Sequence, residues 1–424
     1  MNKIISIVLI LSLYSISSAQ EQRAELAIEQ ILKLPESKID LGTACLILAK
    51  DGYPELNFEQ YDLMLNLMAK SIKDLARESD NPLVRIGAIN TILYLPGTWN
   101  DSITFKYDFD DIVVTKKENL FLNGYLDTKT GSCITMPMLY LVLADKLNWP
   151  IRAVRAPEHF FLRYVADNFK ESNIETTSGG KYVPDERYIQ DFSISKEGIE
   201  NGIYMRTLSK KEYLASVLIS NIRLFPEDHQ KVMEYLSLAL SVDSTLCNAH
   251  WNLGVCYYLY AKDLNEKMNK SINAAQANYQ AEMMAAKNQM EISPKIPSPW
   301  DYQNKQKREM EMLAPKPSLF PNRSAQLPGI QNHQPSTPKN IPFNSSQNQL
   351  MNKRRSEFEF EIMEIKDHYI PKIDEALKRS DWHREKATKM GMVLETTEEF
   401  YVKQAKKKEV NEIDKKYINL KSNK

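Results

Sequence analysis

Three consecutive runs decide how this chain folds: GSCITMPMLYLVLADKLNWP (131–150), IRAVRAPEHFFLRY (151–164) and NIETTSGG (173–180). In the first, Met138 to Leu147 is apolar almost without a break and stops at Asn148, Trp149 and Pro150. Apolar side chains on nearly every face describe a helix buried all round. Pro137 is tolerated only in a first helical turn, so the helix starts close to Cys133. A thiol there faces unpaired N–H groups and the positive end of the macrodipole, which favour a thiolate.

The other two runs read as strands. Alternation from His159 to Val165 puts His159, Phe161 and Arg163 on one face, and from Asn173 to Thr177 it does the same for Asn173, Glu175 and Thr177. The order Cys133, His159, then the amide of Asn173 and the carboxylate of Glu175 suits a nucleophile, a base and a group that fixes the imidazole tautomer. The plainer reading of His159 is a strand residue packed beside Phe160 and Phe161. Its pairing with a helix-start cysteine is what favours chemistry. Asp185 and Asp191 are alternative acids, ranked lower because they fall in loop-like sequence. Asn123 and Tyr125, just upstream of Cys133, are candidates for lining the cleft or supplying an oxyanion donor, and Asn173 is a candidate substrate contact.

GSCITMP followed by APEHFFLRY and IETTSGG resembles the transglutaminase-like superfamily. With LPESKIDLGTACLILAK (34–50), YPEL (53–56) and ENLFLNGYLD (118–127) upstream, the chain is similar to the SirB-type branch, in which such a core precedes tetratricopeptide repeats. The resemblance covers about residues 30 to 260. It implies an α+β fold: a helical N-terminal part and a papain-like core with an antiparallel sheet, then an all-α tetratricopeptide-like region and C-terminal helices. It also implies Cys133 as nucleophile and His159 as base. Glu175 falls where the superfamily has Asp or Asn, so the third residue departs from the pattern. Many SirB-type members lack the cysteine; this chain keeps it.

The 424 residues suffice for two or three domains. A formal net charge of zero argues for neither nucleic acid nor an anionic membrane as partner. Residues 1–20 read as a signal peptide: Lys3 supplies the positive region, Ile4 to Tyr14 the short apolar core, and Ser17, Ser18 and Ala19 the small residues before a cut. The mature protein is therefore expected in the periplasm or secreted, with no membrane span after signal removal. Four cysteines are few for that compartment. Cys247 and Cys256, if on one helix, stand roughly 13 Å apart, too far to bridge. Cys45 lies in an apolar helical run and reads as core filler.

Residues 21–227 are assigned to the transglutaminase-like domain. Its first part reads as helices over 39–50, from the Asn57 cap to about Glu78, and over 82–95. From 228 to 291 the pattern changes: YLSLALSVDS (235–244) and HWNLGVCYY (250–258) resemble a tetratricopeptide repeat, with His250 where Trp is usual and Ser244 where Pro is usual. Ala239 and Gly254 are small enough to let helices approach closely. One clear repeat is fewer than a solenoid needs, so it must pack on the core or on the C-terminal helices. Residues 292–350, rich in Pro, Asn, Gln and Ser, read as a disordered linker. Residues 351–420 return to helix, with breaks expected at Pro371 and Gly391.

There is no Gly-rich phosphate loop, no Cys-x-x-Cys, no His-Glu-x-x-His and no acidic loop of calcium-binding type. No metal or cofactor is expected. Two functions fit. One is a cysteine enzyme acting on amide bonds of a protein or peptide substrate: a peptidase or amidase if water is the acceptor, a transglutaminase-like acyltransferase if an amine is. Hydrolysis is favoured, because water is the default acceptor outside the cytoplasm. The other is a non-catalytic scaffold that binds a protein partner through its helical repeats.

Overall fold

A computed structural model describes residues 27–167, 169–289 and 345–393. The segment read as a signal peptide and most of the segment read as a linker lie outside the described residues. Four helices come first: α1 (Ile28–Lys33), α2 (Leu41–Ala49), α3 (Phe58–Ala76) and α4 (Pro82–Tyr94). Short polar side chains start three of them by accepting backbone N–H groups that the first turn leaves unpaired. Asp40 takes the N–H of Thr43, Asn57 that of Gln60, and Asn81 that of Leu83, with Pro82 at the first helical position.

Strand β1 (Lys106–Tyr107), helix α5 (Leu122–Thr128) and strand β2 (Thr130–Gly131) lead to α6 (Thr135–Lys146). Every residue from Thr135 to Ala144 is buried, as the apolar run demands. Helix α6 packs against α2, α3 and α5 on its helical side. Its other side meets β3 (Ile151–Ala156) and β4 (His159–Tyr164). Strands β3, β4 and β5 (Asn173–Ile174) form an antiparallel sheet in that order, with Ala156 opposite His159 and Arg163 opposite Asn173. The mixed α and β architecture expected for the core is present.

The strand expected over 173–177 stops at Ile174. Glu175 instead starts a 3-10 turn, Thr176–Ser178, by accepting the N–H of Thr177 on its side chain. Asp185 and Asp191 lie not in a loop but at the two ends of α7 (Asp185–Asp191), which Pro184 precedes. After α8 (Lys196–Glu200), the capping pair Ser209 and Glu212 opens α9 (Lys210–Asn221).

Two helices follow, α10 (His229–Val242) and α11 (Cys247–Gln289), and then α12 (Ser345–Lys389). Helix α11 runs to Gln289 instead of turning back, so among the described residues a helix pair is present without a second repeat. The close approach expected at Gly254 is made by α12: a side chain on Gly254 would come within 2.9 Å of the Ser380 carbonyl. Helix α12 begins at Ser345, inside the stretch assigned to the linker, and passes through Pro371 without the expected break. Pro371 is exposed, so water can take the carbonyl that its missing N–H leaves unpaired.

The described residues form two units. One holds 27–261 with 375–393; the other holds 262–289 with 345–374. In the second, the Tyr279 ring stacks on Phe358 at 4.6 Å and Arg354 lies 3.6 Å from Glu282. Among the described residues no helix is long and apolar enough to cross a membrane.

Within the first unit, His250 on α11 and His383 on α12 share a hydrogen bond, Nδ1 to Nδ1, at 2.9 Å. One ring must donate and the other accept, so the contact cannot survive two imidazolium charges. Burial, then Lys386, then His383 push the His250 pKa down from 6.5 to about 4. Burial and the nearby cations Lys386 and Arg379 lower His383 as well. The unfolded chain then binds more protons than the folded one between about pH 6.5 and 4, so this pair's contribution is complete above 6.5 and lost as pH falls. The melting temperature is expected to drop across that window, and His250→Gln to flatten the drop. Equal slopes for both proteins in differential scanning calorimetry would contradict this.

Candidate active site

Strand β2 pairs in parallel with β1, Tyr107 opposite Gly131. A side chain at 131 would collide with the Tyr125 ring and the Thr135 hydroxyl, so the chain passes here only as glycine. Next comes Ser132, whose Oγ donates to the Asn119 carbonyl at 2.7 Å and accepts from the N–H groups of Ile134 and Thr135 at 3.0 and 3.3 Å. Cys133 is thereby fixed between a strand end and the first turn of α6. It is half-buried and forms no disulfide, and its Sγ donates to the Glu158 carbonyl at 3.7 Å. Ser132 already occupies two of the first N–H groups. The helix end therefore offers the sulfur its dipole more than those donors.

His159 opens β4, and its buried imidazole meets Glu175 behind it, Nε2 to Oε2 at 2.8 Å. Three further donors converge on Glu175. Tyr188 reaches Oε2 at 3.0 Å, and Thr177 reaches Oε1 with its N–H at 3.0 Å and its hydroxyl at 2.6 Å. An ionised carboxylate has lone pairs for all of these donors at once, an Nε2–H of His159 included. In that state Nε2 carries the proton and Nδ1 keeps its lone pair. The ring is held flat between neighbours, stacked on Phe192 at 5.1 Å, while Tyr188 stacks on Phe161 at 3.8 Å.

Cys133 and His159 both line one cleft of about 530 Å³ in the first unit. Its walls are apolar at Ile112, Val113, Ile219, Trp251, Met392 and Val393, and charged at Glu158 and Arg223. A second cleft in that unit, of about 540 Å³, is lined by Trp382, Lys386 and Lys389 among others and shares no residue with the first.

The structure places Cys133 and His159 on one cleft and Glu175 against His159, and it places the three residues expected to bind substrate away from that cleft. Asn123 is buried inside α5 and Tyr125 is fully buried, its ring edge-on to Phe105 at 5.1 Å. Neither lines the cleft. Their helix packs under β2 and α6, which turns both side chains into core. Asn173 is also absent from the cleft wall. Its amide accepts from Arg163 at 2.8 Å and donates to the Val183 carbonyl at 2.9 Å and to Asp185 at 2.7 Å, which ties α7 to the sheet. Asp185 spends its oxygen on Arg163 and Asn173, and Asp191 binds Arg187. Glu175 is the acid that His159 meets.

Thr177 and Tyr188 were not among the candidates. Thr177 was visible as the residue two after Glu175, the spacing of a side chain that accepts its own turn's N–H. Tyr188 comes from a separate helix and carries no sequence signal. Tyr107 was missed as well. Burial, and then the proximity of Cys133, push its pKa up, so it stays a neutral hydroxyl. Burial likewise raises the thiols of Cys45, Cys247 and Cys256. Among the described residues no group of three or more His, Cys, Asp or Glu could hold a metal ion.

A helix-start cysteine, a histidine opening the second strand and a carboxylate at the third strand's end define a transglutaminase-like domain. Residues 59–212 match the transglutaminase-like superfamily. Two relatives are each called UPF0162 protein, from Xylella fastidiosa strains Temecula1 / ATCC 700964 and 9a5c. Each is 22% identical over 133 residues, 31% of this chain and 44% of the relative. F-box only protein 21 of Mus musculus is 35% identical over 79 residues, 19% of this chain and 11% of its own length. The chain thus spans less than half the length of these relatives. No solved structure matches.

The Glu175 contact makes the tautomer a measurable property. Long-range proton–nitrogen NMR of histidine-labelled protein should place the neutral-state proton of His159 on Nε2, and Glu175→Ala should remove that preference. A proton on Nδ1 in the unaltered protein would contradict the assignment.

Proposed function

We propose that this chain is a secreted or periplasmic cysteine enzyme that acts on amide bonds of protein or peptide substrates, with hydrolysis favoured over acyl transfer to an amine. One observation carries the reading. Cys133 and His159 line the same cleft, while Glu175 holds the imidazole nitrogen on the far side. In this reading the sulfur attacks the substrate carbonyl and its proton passes to His159 Nδ1. His159 returns that proton to the departing amine as the C–N bond breaks, leaving a thioester on Cys133. Water then attacks the thioester, gives a proton to His159 and releases the acid, and the proton returns to the sulfur. Glu175 keeps Nε2 protonated and stabilises the imidazolium between the steps.

The apolar walls favour a substrate with apolar side chains near the reacting carbonyl. The alternative is a silent transglutaminase-like core that recruits a protein partner through tetratricopeptide-like helices. The α10–α11 pair supports its helical part.

The two are separated by site-resolved alkylation. Cys133 is expected to react with iodoacetamide readily at pH 6, with Cys45, Cys247 and Cys256 inert in the folded protein. His159→Ala should slow the Cys133 reaction at pH 6 by about ten-fold or more, and Glu175→Gln by less. Labelling of Cys133 that rises only near pH 8.5 and ignores His159→Ala would leave the scaffold reading in place.

A further inference from the structure

The two flanks of the cleft beside Cys133 are tied down by side chains that lie outside residues 59–212. Glu158 is their meeting point. It sits in the β3–β4 turn, immediately before His159, with φ +50°. For a residue other than glycine that conformation is strained, so something must hold the turn in place. Its carbonyl accepts the Cys133 Sγ at 3.7 Å. Its carboxylate accepts from Asn248 Nδ2 at 3.1 Å and lies 3.8 Å from Arg223 Nη2. Asn248 is in the first turn of α11, and its amide oxygen takes the Cys247 thiol at 3.5 Å, which fixes the end of the amide that faces Glu158.

Arg223 also holds the opposite flank. Its Nη1 donates to the carbonyls of Val113 at 2.7 Å and Val114 at 3.4 Å. Val114 has φ +56°, a conformation that a β-branched residue seldom adopts. Val113 and Val114 line the cleft with Cys133. Two strained residues thus flank the sulfur, and both are held from outside the superfamily stretch.

We propose that Asn248 and Arg223 are positioning residues for the Cys133–His159 site, acting through Glu158 and the 112–114 loop. Neither touches the reacting atoms. Releasing either lets a strained segment relax, and His159 or the cleft wall shifts relative to the sulfur. Displacements of about 1 Å suffice to slow chemistry of this kind. The helices after residue 212 then belong to the site itself. The inference rests on the proposed cysteine chemistry.

The test uses the full chain and iodoacetamide as the probe, reading the pH profile of Cys133 alkylation site by site. Asn248→Ala and Arg223→Ala are each expected to lower the rate at pH 6 by about five-fold, the worth of one hydrogen bond. The melting temperature, recorded beside each profile, should fall by no more than a few degrees in Asn248→Ala, so that the loss of rate is not a loss of fold. Profiles of Asn248→Ala and Arg223→Ala that overlay the unaltered protein while His159→Ala collapses would overturn the positioning role and leave the chemistry standing. A profile indifferent to His159→Ala would overturn both.

Discussion

A carboxylate buried in a protein interior must be met by donors on every side, and Glu175 imposes that demand on everything around it. Removing one partner from a buried ion pair costs about 3–5 kcal/mol, because the remaining charge has nowhere to turn. Here the donors are drawn from three places: the start of β4 through His159, the turn Thr176–Ser178 through Thr177, and α7 through Tyr188. Satisfying one oxygen pair therefore fixes where the third strand ends, how α7 docks and which way the imidazole faces. The tautomer of His159 follows from the same demand.

The catalytic candidates were legible because their signals are local. Pro137 dates the start of α6 to within a turn, alternation assigns the face of β4, and the order of Cys133, His159 and Glu175 does the rest. The helix cap at Asn57 and the helix start at Pro82 were legible for the same reason. What failed depended on long-range packing. Asn123 and Tyr125 are close to Cys133 in the chain, yet α5 turns both into the core, and nothing in their own sequence decides that. Alternation put Asn173 beside Glu175, but Arg163 and Asp185 claim its amide. The strand over 173–177 was cut short by a side-chain contact, Glu175 capping its own turn. Arg223, Asn248, Met392 and Val393 reach the cleft from distant parts of the chain, so no motif could have placed them there.

The superfamily stretch contributes the sulfur, the imidazole and the carboxylate, but only part of the cleft. Ile219, Trp251, Met392 and Val393 complete its apolar wall from beyond residue 212. Buried Cys247 on that wall has its thiol raised by burial, which leaves Cys133 as the half-buried thiol of the cleft.

The central claim is that the Cys133 sulfur forms a covalent acyl intermediate with help from His159. Mixing the protein with a peptide nitrophenyl ester, quenching in acid and measuring intact mass tests it most directly. The account predicts an added acyl group that peptide mapping places on Cys133, with formation slowed by His159→Ala. Ester consumed no faster than in buffer, with no acyl mass on Cys133 at any quench time, would contradict it.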